Sequence, residues 1–257
     1  MVVGRGDRLH APAREPVDPG DMLDDWNVAI LVPRRDDGGW RDRLWRYVRG
    51  RLEDELPDWP IHEGYHDDGP FNRAAAINTA AELAGDWEIA LIVDSDTLAP
   101  PVALQTGAVL AATTGYMVNC HDLRVMLKEQ ATRRIIESGR TDPVNSWRKP
   151  QWVERIWYES PSAGVAVRRD LFDRVGGFDE RFVGWGHEDS AFRHACETLS
   201  GAPMLRVAMD CYHLWHPESP EVDRRSPTRR ANMARMADYE HAAGDVTLID
   251  RLTGGPL

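Results

Sequence analysis

At 257 residues and a formal net charge of -11, the chain is long enough to bury one sizeable core, and a prior of about 150 residues per domain leaves room for one large α/β unit or two small ones. The acidity works against duplex DNA as a main ligand, because neutralising phosphates supplies most non-specific affinity, but it leaves open a polyanionic substrate held by a cation. The three cysteines, Cys120, Cys196 and Cys211, form no C-x-x-C pair, so no disulfide framework or zinc ribbon is implied and a reducing compartment is expected.

No stretch reaches the roughly 18 apolar residues of a membrane span, and the opening MVVGRGDRLHAPAREP lacks the apolar centre of a secretory signal. A cytoplasmic protein is expected. Only Lys128 and Lys149 are lysine among 31 basic residues, a bias that points to a GC-rich bacterial or phage genome and not to a mechanism. The oligomeric state has no signal in the sequence.

In chain order, residues 1–25 are rich in Pro, Gly, Arg and Asp without hydrophobic period and read as a loose arm. A strand, NVAILVP, ends at Pro33, and Trp40, Leu44, Val48, Leu52 and Leu56 then recur four apart as one stripe of a helix. PIHEGYH reads as a second strand, FNRAAAINTAAELAG as a helix closed by Gly85, and EIALIV as a third strand. This alternation predicts an α/β fold with a mostly parallel central sheet flanked by helices.

Further along, PPVALQTGAVLAAT reads as a helix, GYMVNC as a strand and LRVMLKEQATRRIIESG as a helix, followed by a Trp- and Arg-bearing connection over residues 140–159. AGVAVRR is a strand, DLFDRVGGF a short helix with a glycine stop, HEDSAFRHACETLSG a helix, and PMLRVAMDCYHLWH the last strand. The main domain thus covers residues 26–217, and 218–257 is a polar tail with one helix near Arg229 to Ala243.

Three features carry chemistry. VDSDTLAP sets Asp94 and Asp96 one residue apart at the carboxyl end of a strand, where ligands collect in open parallel sheets. If the chain is extended there, both carboxylates face one hollow and suit a divalent cation; an acidic turn is the plainer reading. An EF-hand is excluded, because the loop counted from Asp94 has Ala99 and Gln105 where Gly and Glu are required.

GGFDERFVGWGHEDSAF, Gly176 to Phe192, leads Trp185 and Gly186 into a helix whose first turn carries Glu188 and Asp189. A carboxylate there is held ionised by the helix dipole and suits a general base, although acidic residues also simply cap helices. In CYHLWHP, His213 and His216 are three apart; on a strand they point to opposite faces, so one is able to meet a metal while the other packs or is solvated, and for an isolated histidine a core or surface place is the plainer reading. A histidine with aspartate and diphosphate oxygens suits Mn²⁺, whereas Mg²⁺ prefers oxygen alone.

FNRAAAIN (Phe71 to Asn78), VDSD (Val93 to Asp96) and GGFDERFVGWGHED (Gly176 to Asp189), with ILVPRRD before them, resemble the signature blocks of the β-1,4-galactosyltransferases, in the same order. The polypeptide N-acetylgalactosaminyltransferases and bacterial chondroitin-type polymerases are similar. The resemblance spans roughly Asn27 to His216 and implies a GT-A fold, a UDP-sugar donor and Mn²⁺, with Mg²⁺ as the substitute. Carried over residue by residue, it implies Pro33 and Arg35 lining the nucleotide pocket and Phe71 and Arg73 beside uridine and diphosphate. Asp94 would meet the ribose or the metal side, and Asp96 and His216 would be the metal ligands. Trp185 would be the sugar platform, Glu188 would hold the acceptor and Asp189 would be the base of an inverting displacement. His187 stands where the family has glycine and Ser190 where it has a further acid, so the acceptor contacts depart from the pattern.

Two rival readings belong to other classes. A nucleotidyltransferase that makes the sugar nucleotide needs a Gly-rich basic loop after the first strand, and PRRDDGGW is acidic beside its glycines. A non-catalytic glycan-binding module would use Trp40, Trp45, Trp147, Trp152, Trp157, Trp185 and Trp215 as stacking surfaces. The acceptor is open among a glycan, a protein side chain and a modified nucleobase. Arg224, Arg225, Arg229, Arg230 and Arg235 read as a solvated face, with phosphate contact as the alternative.

Overall fold

A computed structural model describes residues 19–138, 149–218, 223 and 225–254. The arm as far as residue 18, Trp147 and Arg224 lie outside the described residues.

Strand β1 (Val28–Arg34) is buried along its whole length, as an apolar run inside a sheet must be. Strands β2 (Ile61–Tyr65) and β3 (Ile89–Ile92) pair with it in parallel, in the registers Ile30↔Ile61 and Ile30↔Leu91. The ladder to β3 ends at Leu31↔Ile92, so Pro33 sits past it and its missing N–H costs that side nothing. The crossover between β1 and β2 is helix α1 (Trp40–Glu55), which buries Leu44, Val48 and Leu52 on the expected stripe. Helix α2 (Arg73–Ala84) starts at Asn72, whose side chain accepts the Ala75 N–H at 3.0 Å, and stops at Gly85.

The main sheet has six strands in the order β2-β1-β3-β8-β5-β9, where β5 is Val118–Asn119, β8 is Val165–Arg168 and β9 is Leu205–Arg206. The α/β class holds, but the sheet is mixed: β8 runs antiparallel to both β3 and β5. The chain reaches β8 from a neighbouring strand through the short loop 159–164.

That neighbour belongs to a second sheet of four strands, ordered β4-β10-β6-β7, with β4 at Thr97–Leu98, β6 at Leu123–Leu127, β7 at Val153–Tyr158 and β10 at Asp210–His213. Three sequence expectations change here. Residues 123–127, expected to begin a helix, are a strand that buries Val125 and Leu127 alternately, and helix α4 starts only at Glu129 (Glu129–Ser138). The connection expected over 140–159 contains β7, paired antiparallel with β6. The single last strand is two strands in different sheets, separated by a tight turn in which Met209 N–H donates to the Val207 carbonyl at 2.7 Å.

The remaining helices are α3 (Pro101–Thr114), α5 (Arg169–Val175), α6 (Glu188–Ser200), α7 (Pro227–Ala242) and α8 (Val246–Thr253). Alternate residues of β1 and β3 feed two cores. Val28, Ile30, Ile89 and Leu91 pack with α1, α3 and the small sheet, whereas Ala29, Leu31, Ala90 and Ile92 face α2, α5 and α6. Met236 and Tyr239 of α7 and Ile249 of α8 belong to this second core. Arg235 lies over the Phe182 ring and Arg229 over that of Trp185, so these two arginines are packed rather than solvated. No helix among the described residues is long and apolar enough to cross a membrane.

Candidate metal centre and active site

Strand β3 ends at Ile92, and the chain turns through Asp94 and Asp96 into β4. Antiparallel pairing of β4 with β10 sets His213 opposite Thr97, and the Leu214 N–H donates to the Asp96 carbonyl at 2.8 Å. Just beyond, the Trp215 N–H donates to Thr132 Oγ1 at 2.7 Å. The small sheet therefore fixes the late histidines against the first-half aspartate.

His213 Nε2 lies 3.5 Å from Asp96 Oδ1, and His216 Nε2 lies 3.2 Å from Asp96 Oδ2. The opposite-face expectation fails for a plain reason: β10 stops at His213, so strand alternation does not extend to His216. One donor atom from each of Asp96, His213 and His216 lies within 4.8 Å of the others; donors bound about 2.2 Å from one ion are at most about 4.4 Å apart, so small side-chain rotations suffice. Asp96 is buried, and its Oδ1 has no hydrogen-bond partner among the described residues, a costly state that a cation would relieve.

Electrostatics prepare the same set. Burial opposes the Asp96 charge, but His213, His216 and Arg41 outweigh it and hold the carboxyl well below its ordinary range. Burial pushes the His213 imidazole down to about 3 against the pull of Asp96, so its ring is neutral near pH 7 with a lone pair to offer. These groups fit a divalent transition ion, with two imidazole nitrogens and one carboxylate.

Asp94 is engaged differently. Its Oδ1 accepts from Arg73 Nε at 3.0 Å and Nη2 at 2.6 Å, and Arg124 stands 3.8 Å from Oδ2. Arg73 Nη1 reaches Glu188 Oε1 at 3.5 Å, so the FNR block, the aspartate pair and the GWGHED helix meet at one guanidinium. Burial works against the Arg73 charge, yet Asp94, Glu188 and Asp189 together push its pKa up.

Glu188 departs from the expectation that the helix terminus keeps both carboxyls ionised. Burial, and then the neighbouring Asp189, raise it to about 7 despite Arg73. Desolvation outweighs the dipole because Glu188 is buried where α6 begins. Asp189 Oδ1 accepts the Ser190 N–H at 2.7 Å.

The sequence blocks are joined by backbone contacts. Asn78 accepts the Phe178 N–H at 2.9 Å and donates to the Phe178 carbonyl at 2.9 Å, and Asn72 Nδ2 donates to the Glu180 carbonyl at 2.7 Å. A Cβ on Gly177, which has φ 74°, would stand 2.7 Å from Asn78 Oδ1, so this join requires glycine. Phe71 is half-buried, and its carbonyl accepts the Gly184 N–H at 2.9 Å. Trp185 carries the Arg229 guanidinium 4.1 Å above its ring. Arg35 is bound to the Gly69 carbonyl at 2.7 Å, and neither it nor Pro33 makes a described contact with the aspartates or Glu188.

Sequence reasoning missed three basic residues. Arg41 lies 3.5 Å from Asp96, Arg124 borders Asp94, and buried Arg34 pairs with Asp36, Asp42 and Glu63. The Arg41 signal was its place in the first turn of a helix starting beside β1; Arg124 was hidden by the helix reading of its segment. Of the tryptophans, Trp45 is core, Trp40 packs edge-on against Trp215 at 5.6 Å, and Trp157 lies near the guanidiniums of Arg124 and Arg155. A cavity of about 670 Å³ bordered by Trp26, Trp59 and Trp87 lies at the amino end of β1 and takes in none of the metal-binding candidates.

Residues 148–216 match the family described as the N-terminal domain of galactosyltransferase. The matched segment holds β7 to β10, Trp185, Glu188, Asp189, His213 and His216, and leaves Asp94 and Asp96 outside it. No curated protein matches the chain by sequence. Among solved structures, the chain is similar to the catalytic domain of Drosophila β1,4-galactosyltransferase 7 in complex with xylobiose, at 17% identity and TM-score 0.49 over 80% of this chain and 79% of that one. It is also similar to GalNAc-T7 with UDP, GalNAc and Mn²⁺, at 12% identity and TM-score 0.49 over 88% of this chain and 54% of that one. A third is glucosyl-3-phosphoglycerate synthase from Mycobacterium tuberculosis in complex with Mn²⁺ and UDP-glucose, at 14% identity and TM-score 0.46 over 96% of this chain and 86% of that one.

Proposed function

We propose that the protein is a metal-dependent, inverting glycosyltransferase that moves a hexose or N-acetylhexosamine from a UDP-sugar to an acceptor hydroxyl. The observation that carries this is the convergence of Asp96, His213 and His216 beside the Arg73-linked carboxylates Asp94 and Glu188. Asp96 and His216, joined by His213, would hold the ion, and two imidazoles would favour Mn²⁺ over Mg²⁺. When bound, such an ion offsets the charge of a departing diphosphate.

The chain's own groups divide the remaining work. Arg73 keeps Asp94 oriented for the ribose side and, with Phe71, Pro33 and Arg35, borders the nucleotide. Trp185 is the platform for the sugar, and Glu188, at about 7, is able to donate or accept a hydrogen bond at the acceptor. Asp189 takes the proton of the attacking hydroxyl as the acceptor oxygen bonds to the anomeric carbon and the bond to the diphosphate oxygen breaks on the opposite face. Inversion follows from that single displacement.

The acceptor class is a glycan, a protein side chain or a modified nucleobase. Three buried cysteines with no disulfide support a cytoplasmic enzyme of a bacterium or its phage. The test is release of UDP from a panel of UDP-sugars with and without Mn²⁺, followed by mass analysis of candidate acceptors. No Mn²⁺-dependent release from any donor would defeat the proposal.

A further inference from the structure

The loop 183–187 carries Trp185 into α6 and does not hold its own shape. Gly184, Gly186 and His187 have φ of 77°, 102° and 79°, and a left-handed histidine persists only where its surroundings over-determine it. One restraint is the Gly184 N–H donating to the Phe71 carbonyl at 2.9 Å. The other comes from α7. Asn232 Oδ1 accepts the Val183 N–H at 3.3 Å, and its Nδ2 faces the carbonyls of Val183, Trp185 and Gly186 at 3.0, 3.4 and 3.2 Å. The reversed amide would set NH₂ against N–H and oxygen against three carbonyls, so its partners fix the orientation.

Asn232 is only 2% exposed and opens the buried stripe Met236, Tyr239 and Ala242 of α7. Helical periodicity gives that place to an apolar residue, and an amide there is tolerable only when its bonds are made. One turn earlier Arg229 stacks on Trp185, so α7 grips the loop by backbone and by side chain. This helix lies outside the segment matched by the family model.

We propose that Asn232 is a positioning residue for sugar transfer: it fixes the loop 183–187 so that Trp185, Glu188 and Asp189 keep their places relative to Arg73 and Asp94. This rests on the roles given to those three residues under the proposed function. The metal candidates belong to the small sheet, so Asn232 governs turnover and acceptor use and leaves UDP binding alone.

The test uses full-length Asn232→Leu, which completes the apolar stripe without any of these bonds, and Asn232→Asp, which keeps the acceptor for the Val183 N–H but sets a carboxylate against three carbonyls. In both, turnover should fall about 100-fold while Mn²⁺-dependent UDP affinity stays within about twofold, since a misplacement of about 1 Å costs that much in rate. Hydrogen exchange at residues 183–187 should quicken while β1 and β3 keep wild-type protection. A folded variant with faster loop exchange and unchanged turnover overturns the inference, as does a parallel loss of UDP affinity and turnover. Loss of folding in both variants also overturns it, making Asn232 a core residue only. A wild-type protein inactive on every UDP-sugar defeats the sugar-transfer reading instead, and the exchange data then still report whether Asn232 holds the loop.

Discussion

Arg73 grips one oxygen of Asp94 with two nitrogens, Nε at 3.0 Å and Nη2 at 2.6 Å, while its third nitrogen points to Glu188. Removing this cation leaves buried Glu188 without its nearest positive partner and Asp94 with only Arg124, 3.8 Å away. Arg73→Met should therefore cost on the order of 3 kcal/mol, as uncompensated buried charge does. The loss should be larger at pH 8 than at pH 5.5, where Glu188 is protonated. Urea unfolding at the two pH values measures this, and an equal loss at both would show that the charge is not what matters.

The imidazoles are expected to share the ion. His213→Ala and His216→Ala should each weaken Mn²⁺ binding by about tenfold or more, by analogy with the cost of disturbing metal-site partners, in calorimetric titrations of the full chain. His213, held at about 3 by burial, should stay neutral in the metal-free protein down to about pH 4. Histidine ring resonances followed by NMR would detect earlier protonation.

Glu188 makes stability depend on pH in a defined direction. Its pKa is raised from 4.5 to about 7 in the folded protein, so between those values the native state binds more protons than the unfolded chain. Stability from this group is therefore present below about 4.5, falls as pH rises towards 7 and levels off above it. Glu188→Gln should remove that slope. An unchanged slope in denaturation midpoints across pH 4.5 to 8 would contradict the assignment.

Asp189→Asn should leave Mn²⁺-dependent UDP binding within about twofold and lower turnover by about 10² to 10⁴, the range for losing a positioned base. The same assay, read by NMR of the product's anomeric proton, tests stereochemistry. An α-linked donor giving an α-linked product would rule Asp189 out as the base.

What was legible in the sequence follows its local periods. Helix α1 was readable from Leu44, Val48 and Leu52, and α2 from its glycine stop, because each pattern is complete within a few turns. Strand β6 was not: Leu123 to Leu127 runs without a break into a helical pattern, and only pairing with β7 and β10 decides its state. The approach of Asp96 to both histidines depends on the two-residue strand Thr97–Leu98, too short for any alternation. The role of Asn232 escaped for a related reason, since a polar residue on a core stripe gains meaning only once its partners, some 46 to 49 positions earlier, are known.

The bridge from Thr97–Leu98 to Tyr212–His213 also bears on assembly order. It joins positions more than a hundred residues apart, among the slowest kinds of contact to form. A nascent chain halted before β10 would hold its carboxylate but neither imidazole, so the proposed cation site would be complete only once residues as far as His216 are made. An ion bound there would act as a late staple between the two halves, and its concentration would set how tightly the finished protein stays closed against unfolding.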